Sequence, residues 1–119
     1  MGEQITLIIL EFDTSLSLPG NGEFILGRYN PEMATQGGSN VVDPGRVDID
    51  LTPYQAYEAG VSRRHAAIYI GYQLFTVTDL GSTNGTRVNG NTIPSFTPQE
   101  LRDQDIITLG KLKIQVRIH

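Results

Sequence analysis

The stretch Ser62-Arg63-Arg64-His65-Ala66-Ala67-Ile68-Tyr69-Ile70-Gly71-Tyr72-Gln73-Leu74-Phe75-Thr76-Val77-Thr78 decides the fold. Its two apolar runs, Ala66–Ile70 and Leu74–Thr78, have strand length. Both are rich in β-branched and aromatic residues. Gly71-Tyr72-Gln73 separates them at hairpin spacing. The same grammar repeats downstream. Thr86-Arg87-Val88 and Thr92-Ile93 flank Asn89-Gly90, a strong tight-turn pair. Ile106–Leu109 and Lys113–Ile118 close the chain around Gly110. Upstream, Ile5–Phe12 reads as a strand, Gly20-Asn21-Gly22 as a turn and Glu23–Leu26 as the next strand. No internal repeat and no long helical period is present. Gln99-Glu100-Leu101-Arg102 alone suggests a single helical turn. Many short strands with frequent turns predict an all-β sandwich.

Two connections stand out. Residues 29–46 contain Asn30-Pro31, Gly37-Gly38-Ser39-Asn40 and Pro44-Gly45, with little that belongs in a core. They are expected to form a long, mobile surface loop. Thr52–Val61 is the second connection, and its Pro53-Tyr54 and Tyr57 are expected to pack against the sandwich. Tyr29, Tyr69 and Tyr72 are likewise read as packing residues.

With 119 residues, 39% of them hydrophobic, the chain fits one domain with a small core. It has no cysteine, so neither a disulfide nor a thiolate metal site is available. No apolar run approaches the roughly 20 residues of a membrane-spanning helix. No basic segment precedes Ile5–Leu10, which argues against a signal peptide. A cytoplasmic location is expected, as a free domain or as part of a larger, membrane-associated protein. The net charge of −4 argues against a nucleic-acid partner. No Lys or Arg precedes Arg28, whereas Arg28, Arg46, Arg63, Arg64 and Arg87 fall at or near loops. Local positive charge on an acidic body suits a small anion better than a long polyanion.

Three segments concentrate hydrogen-bond donors: Gly27-Arg28 after a strand, Ser62-Arg63-Arg64-His65 before one, and Asp79–Thr86 between two. Sandwich loops gather at the ends of the sheets. Together these segments would form a donor cluster suited to a phosphate monoester, which offers three acceptor oxygens and about −1.5 to −2 charge. Arginine matches two oxygens with its planar fork. The hydroxyls of Ser62 and Thr83 are short donors. Gly81, Asn84 and Gly85 allow positive φ angles that turn backbone N–H groups toward an anion.

These segments, in this order and with Val88-Asn89-Gly90, resemble the forkhead-associated (FHA) domain over most of residues 5–118. The resemblance implies an eleven-strand-type β-sandwich of two twisted, mainly antiparallel sheets. It implies that loops at one end bind a phosphothreonine-containing protein or peptide. Carried over by position, it implies phosphate contacts from Arg28, Ser62, Arg63 and Thr83, and a grip on the peptide backbone from Asn84. Gly27, His65, Gly81 and Gly85 are implied to shape the site. The chain departs from the family at the long 29–46 insertion. It carries Gln104 where the family has glycine before Asp105. It also has Gly60 where some relatives place a charge that reads the peptide's +3 side chain. The isolated size resembles an excised domain.

The competing readings are weaker. Ser62 and His65 lack an acid placed to orient the imidazole, so catalysis is not expected. No P-loop motif occurs. Asp48 and Asp50, with Asp43 nearby, suit an exposed strand face better than a metal site, and no cofactor is expected. The alternative function is a phosphate-independent assembly module acting through a sheet face or the 29–46 loop.

Overall fold

The computed structural model describes residues 4–29 and 46–119. Among them the strand-like segments become eleven strands. In chain order these are β1 (Ile5–Ile9), β2 (Thr14–Ser17), β3 (Gly22–Gly27), β4 (Ile49–Asp50), β5 (Arg64–Gly71) and β6 (Leu74–Asp79). Then follow β7 (Thr86–Val88), β8 (Asn91–Thr92), β9 (Gln99–Glu100), β10 (Ile106–Leu109) and β11 (Leu112–Ile118). They form a six-stranded sheet in the order β2-β1-β11-β10-β7-β8 and a five-stranded sheet in the order β4-β3-β5-β6-β9. The named strands pair antiparallel, except that β3 and β4 run parallel.

Strict alternation in β1 and β11 builds one side of the core. Ile5, Leu7 and Ile9 of β1 face Ile114 and Val116 of β11, and all five are fully buried. From the other sheet come Leu26, Ile68, Ile70 and Val77. Full burial of such side chains contributes about 1.5–3 kcal/mol each. The hairpin read from the sequence is present, with Tyr69 opposite Thr76 and Gly71 opposite Leu74. At the second tight turn Asn89 and Gly90 both take positive φ, 51° and 87°, as its mirror-image geometry requires.

One end of the sandwich is closed by backbone bonds between loops. The Arg28 N–H donates to the Arg63 carbonyl (3.0 Å) and the Gly110 N–H to Gly85 (3.2 Å). The Lys111 N–H donates to Ala59 (2.8 Å). The connection from Leu51 to Val61 is pinned by Leu51, Ala56 and Val61, all buried.

Several expectations are corrected. Gln99–Glu100 are a strand, not a helical turn: they pair with Thr76 and Val77, and the Leu101 N–H bonds the Phe75 carbonyl while its side chain is buried. The first strand stops at Ile9. Leu10–Phe12 form a 3-10 turn that ends at Asp13 in a left-handed conformation, which reverses the chain into β2. Of the five tyrosines, Tyr54 is half-buried, its ring 5.6 Å from Phe12. Tyr29, Tyr57, Tyr69 and Tyr72 are exposed. Residues 30–45 of the long insertion lie outside the described residues.

Gln104 adopts φ 73°, a left-handed conformation, and donates its N–H to the Val116 carbonyl. The family's glycine at this position therefore has a physical reason. A left-handed non-glycine residue costs about 1–2 kcal/mol, partly offset by glycine's greater freedom in the unfolded chain. Gln104→Gly is expected to raise stability by about 0.5–1 kcal/mol in urea unfolding, with an unchanged m-value.

Candidate functional site

Asp79, the last residue of β6, is 1% exposed and has no cationic partner within ion-pair distance among the described residues. Five donors surround its carboxylate. Oδ1 accepts from Ser82 Oγ (2.6 Å) and Thr86 Oγ1 (2.7 Å). Oδ2 accepts from Ser95 Oγ (2.7 Å) and from the backbone N–H groups of Gly81 (3.1 Å) and Ser82 (3.2 Å). Burial alone would push this acid up. The hydroxyls of Ser82, Thr86 and Ser95 and the Ser82 N–H outweigh it and lower its pKa to about 2. Ser82 Oγ also accepts the Gly85 N–H (2.9 Å), so the 81–85 loop is wound around one carboxylate. Gly81 and Gly85 take positive φ within it, 74° and 84°. A Cβ on Gly81 would stand 3.1 Å from the Phe96 ring.

This loop meets the segment before β5 through two side chains. The Thr83 N–H donates to Ser62 Oγ (3.1 Å). The imidazole of His65, fully buried, bridges the two loops: Nδ1 accepts the Ser62 N–H (2.9 Å), and Nε2 lies 2.8 Å from the Gly85 carbonyl. These partners fix a neutral ring protonated at Nε2. Burial is the main cause that holds its pKa below the usual histidine value. Both nitrogens are engaged with backbone, so neither takes a proton from Ser62 Oγ, and the Ser–His hydrolase geometry is absent.

Arg28 follows β3. Its Nε donates to the Val61 carbonyl (2.6 Å), one residue before Ser62. Gly27 makes this approach possible, because a Cβ there would overlap the Arg63 carbonyl and stand 3.0 Å from that of Ser62. Asn84 donates its side-chain N–H to the Gly60 carbonyl (2.9 Å) and ties the loop to the 59–60 turn. That leaves the Asn84 carbonyl oxygen and one N–H. Arg63 is exposed, and its backbone rather than its side chain holds Arg28.

Arg28, Ser62, Thr83 and Asn84 are thus drawn to one end, and Arg63, next to Ser62 in the chain, is exposed. Ser62 Oγ, already an acceptor, keeps its O–H to donate. The ion pairs among the described residues lie at Arg46–Asp48, Arg102–Glu100 and Arg117–Asp103. Arg28, Arg63 and Arg87 have no such carboxylate among these residues. Unpaired guanidinium, hydroxyl and amide donors on a rigid frame can hold a multivalent anion. A cleft of about 360 Å³, lined by Gly60, Asn84, Arg87 and Lys111 among others, continues from Asn84. No group of His, Asp and Glu suited to a metal occurs among the described residues. Asp48 and Asp50 instead brace the chain around β3. Asp48 accepts the Ile25 N–H and pairs with Arg46; Asp50 accepts the Tyr29 N–H and two bonds from Thr52.

The sequence reading did not single out Ser82, Thr86 or Ser95 as loop-builders. Ser95 lies 16 residues from Asp79, a link no local motif reveals. It also missed the Val61 carbonyl, since a backbone acceptor carries no residue signature.

The FHA domain family model matches residues 24–110 of this chain. FHA domain-containing protein FhaA of Mycobacterium tuberculosis is 38% identical over 82 residues, 69% of this chain and 14% of that protein. The chain therefore spans about a seventh of that relative's length. A structure from a structural and functional analysis of phosphothreonine-dependent FHA domain interactions aligns with a TM-score of 0.72 at 30% identity. It covers 98% of this chain and 97% of that one. The crystal structure of the FhaA FHA domain complexed with the intracellular domain of Rv3910 aligns with a TM-score of 0.69 at 30% identity, over 95% and 99% of the two chains.

Asp79→Asn is expected to destabilise the protein at pH 7 by about 2–3 kcal/mol, because charge-assisted bonds are replaced by neutral ones. Asp79 has a depressed folded pKa, so its contribution is complete above 3.8 and lost as pH falls to about 2. The gap between wild type and variant in denaturant midpoint should close over that window. His65 also has a depressed pKa, so its contribution is complete above about 6.5 and declines as pH falls from there.

Proposed function

The chain belongs to the forkhead-associated (FHA) domain family, and from that premise we propose that it is a non-enzymatic reader of phosphothreonine on a partner protein. The observation that carries the reading is the Thr83 N–H to Ser62 Oγ bond beside Arg28. It joins two loops so that a guanidinium fork, the Ser62 O–H and the Thr83 hydroxyl are available at one end of the sandwich. In the proposal Arg28 takes two phosphate oxygens, and Ser62 and Thr83 donate to the phosphate. Arg63 adds charge from the margin, and Asn84 uses its remaining amide groups on the peptide backbone. Gly27, His65, Gly81 and Gly85 hold these donors in place. Residues 1–119 act as a single such module.

Two or three charged hydrogen bonds at about 1.5–3 kcal/mol each contribute about 3–9 kcal/mol before association costs, so micromolar affinity, about 8 kcal/mol net, also requires contacts to the peptide on either side of the phosphate. Threonine is preferred to serine if its methyl is covered, since one buried methyl contributes about 0.8 kcal/mol, or roughly fourfold.

Titration of matched phosphothreonine, phosphoserine and unmodified peptides tests the reading. The expected order is phosphothreonine tightest, phosphoserine several-fold weaker and no measurable binding of the unmodified peptide. Arg28→Ala should remove most binding with an unchanged circular dichroism spectrum. Binding should also weaken below about pH 6 as the phosphate gains a proton. Equal binding of phosphorylated and unmodified peptides would refute it.

A further inference from the structure

Tyr57 is 73% exposed, so its ring contributes little to the core. Its backbone is nonetheless closely fixed. Ala56 beside it is fully buried, Gln55 is left-handed, and the Gly60 N–H bonds the Tyr57 carbonyl (3.1 Å). The ring lies against Arg28, whose Cζ is 5.1 Å from the ring centroid. That is within cation–π range.

The Arg28 guanidinium is therefore held twice. Its Nε is committed to the Val61 carbonyl at 2.6 Å, and its Cζ lies over an aromatic ring. With Nε engaged, the side-on Nε–Nη2 fork is blocked. The end-on pair, Nη1 and Nη2, is the fork left for a bidentate anion. A guanidinium held only at Nε could still swing about that bond, and a ring against it restricts the swing.

We infer that Tyr57 is a positioning residue: it holds the Arg28 guanidinium so that a phosphate is taken end-on by Nη1 and Nη2. The inference rests on the phosphothreonine reading for its ligand, but the ordering of Arg28 stands without any ligand. The attraction comes from the ring's quadrupole, so an aromatic side chain can replace tyrosine and an aliphatic one cannot. Because the ring is exposed, this role is separable from folding.

The test uses Tyr57→Phe, Tyr57→Leu and Tyr57→Ala in the full chain. Each is titrated with a phosphothreonine peptide and its unmodified twin, and the Arg28 Nε–H resonance is followed in the ligand-free protein. The phenylalanine variant should bind within about twofold of wild type. The leucine and alanine variants should bind roughly two- to fivefold more weakly, as an exposed cation–π contact implies. Melting temperatures should stay together. Arg28 Nε–H should be sharp and ring-shifted in wild type and Tyr57→Phe, and broadened or moved in the other two. Leucine matching tyrosine in affinity would overturn the inference, as would an Arg28 signal that is the same in all four proteins. If wild type binds neither peptide, the phosphothreonine reading fails, and the Arg28 signal alone decides whether Tyr57 positions that group.

Discussion

A carboxylate buried without a counter-ion among the described residues organises this end of the molecule. An ionised acid removed from water must be satisfied in full or become protonated. Asp79 is satisfied by three hydroxyls and two backbone N–H groups, drawn from residues 81, 82, 86 and 95. Meeting that demand curls the chain from Gly81 to Thr86 into one shape. It also draws in Ser95 from a separate connection. Everything the loop presents outward, from the Thr83 hydroxyl to the Asn84 amide, takes its place from that inward constraint.

The constraint passes to the neighbouring loop through groups that do not meet solvent freely. His65 spans Ser62 and Gly85 as a neutral ring. Gly27 lets β3 run so close to the Arg63 carbonyl that Arg28 emerges beside Val61. Donors assembled in this way are ordered before any ligand arrives, which lowers the entropy lost on binding. The body carries net negative charge, and the described ion pairs bind up other arginines. The guanidinium of Arg28 faces no such competitor among the described residues.

Much of this was legible in the sequence. The strand-length apolar runs Ala66–Ile70 and Leu74–Thr78 and the Asn89-Gly90 turn reflect local rules, and the structure follows them. Arg28, Ser62, Thr83 and Asn84 stand out only as members of three donor-rich segments in order, since each alone reads as a solvated side chain or an ordinary turn. What was hidden depends on tertiary partners. Gln99–Glu100 pair with β6 only because Leu101 finds the core, which no propensity encodes. Ser95 looks like an ordinary loop serine until the fold brings it to Asp79. Tyr57 read as a packing residue because aromatic residues usually are, yet its partner is a cation on another loop. Gln104 shows the converse: the family's glycine was visible as a departure, and the left-handed backbone explains it.

The most direct test of the central claim is amide and side-chain shift mapping of the isotopically labelled protein, titrated with a phosphothreonine peptide and with its unmodified twin. If the Asp79-built loop frames a phosphothreonine, the phosphorylated peptide alone should shift the signals of Arg28, Ser62, Thr83 and Asn84 together. The outer sheet faces should stay unchanged. Shifts confined to a sheet face, or the same shifts with both peptides, would contradict it.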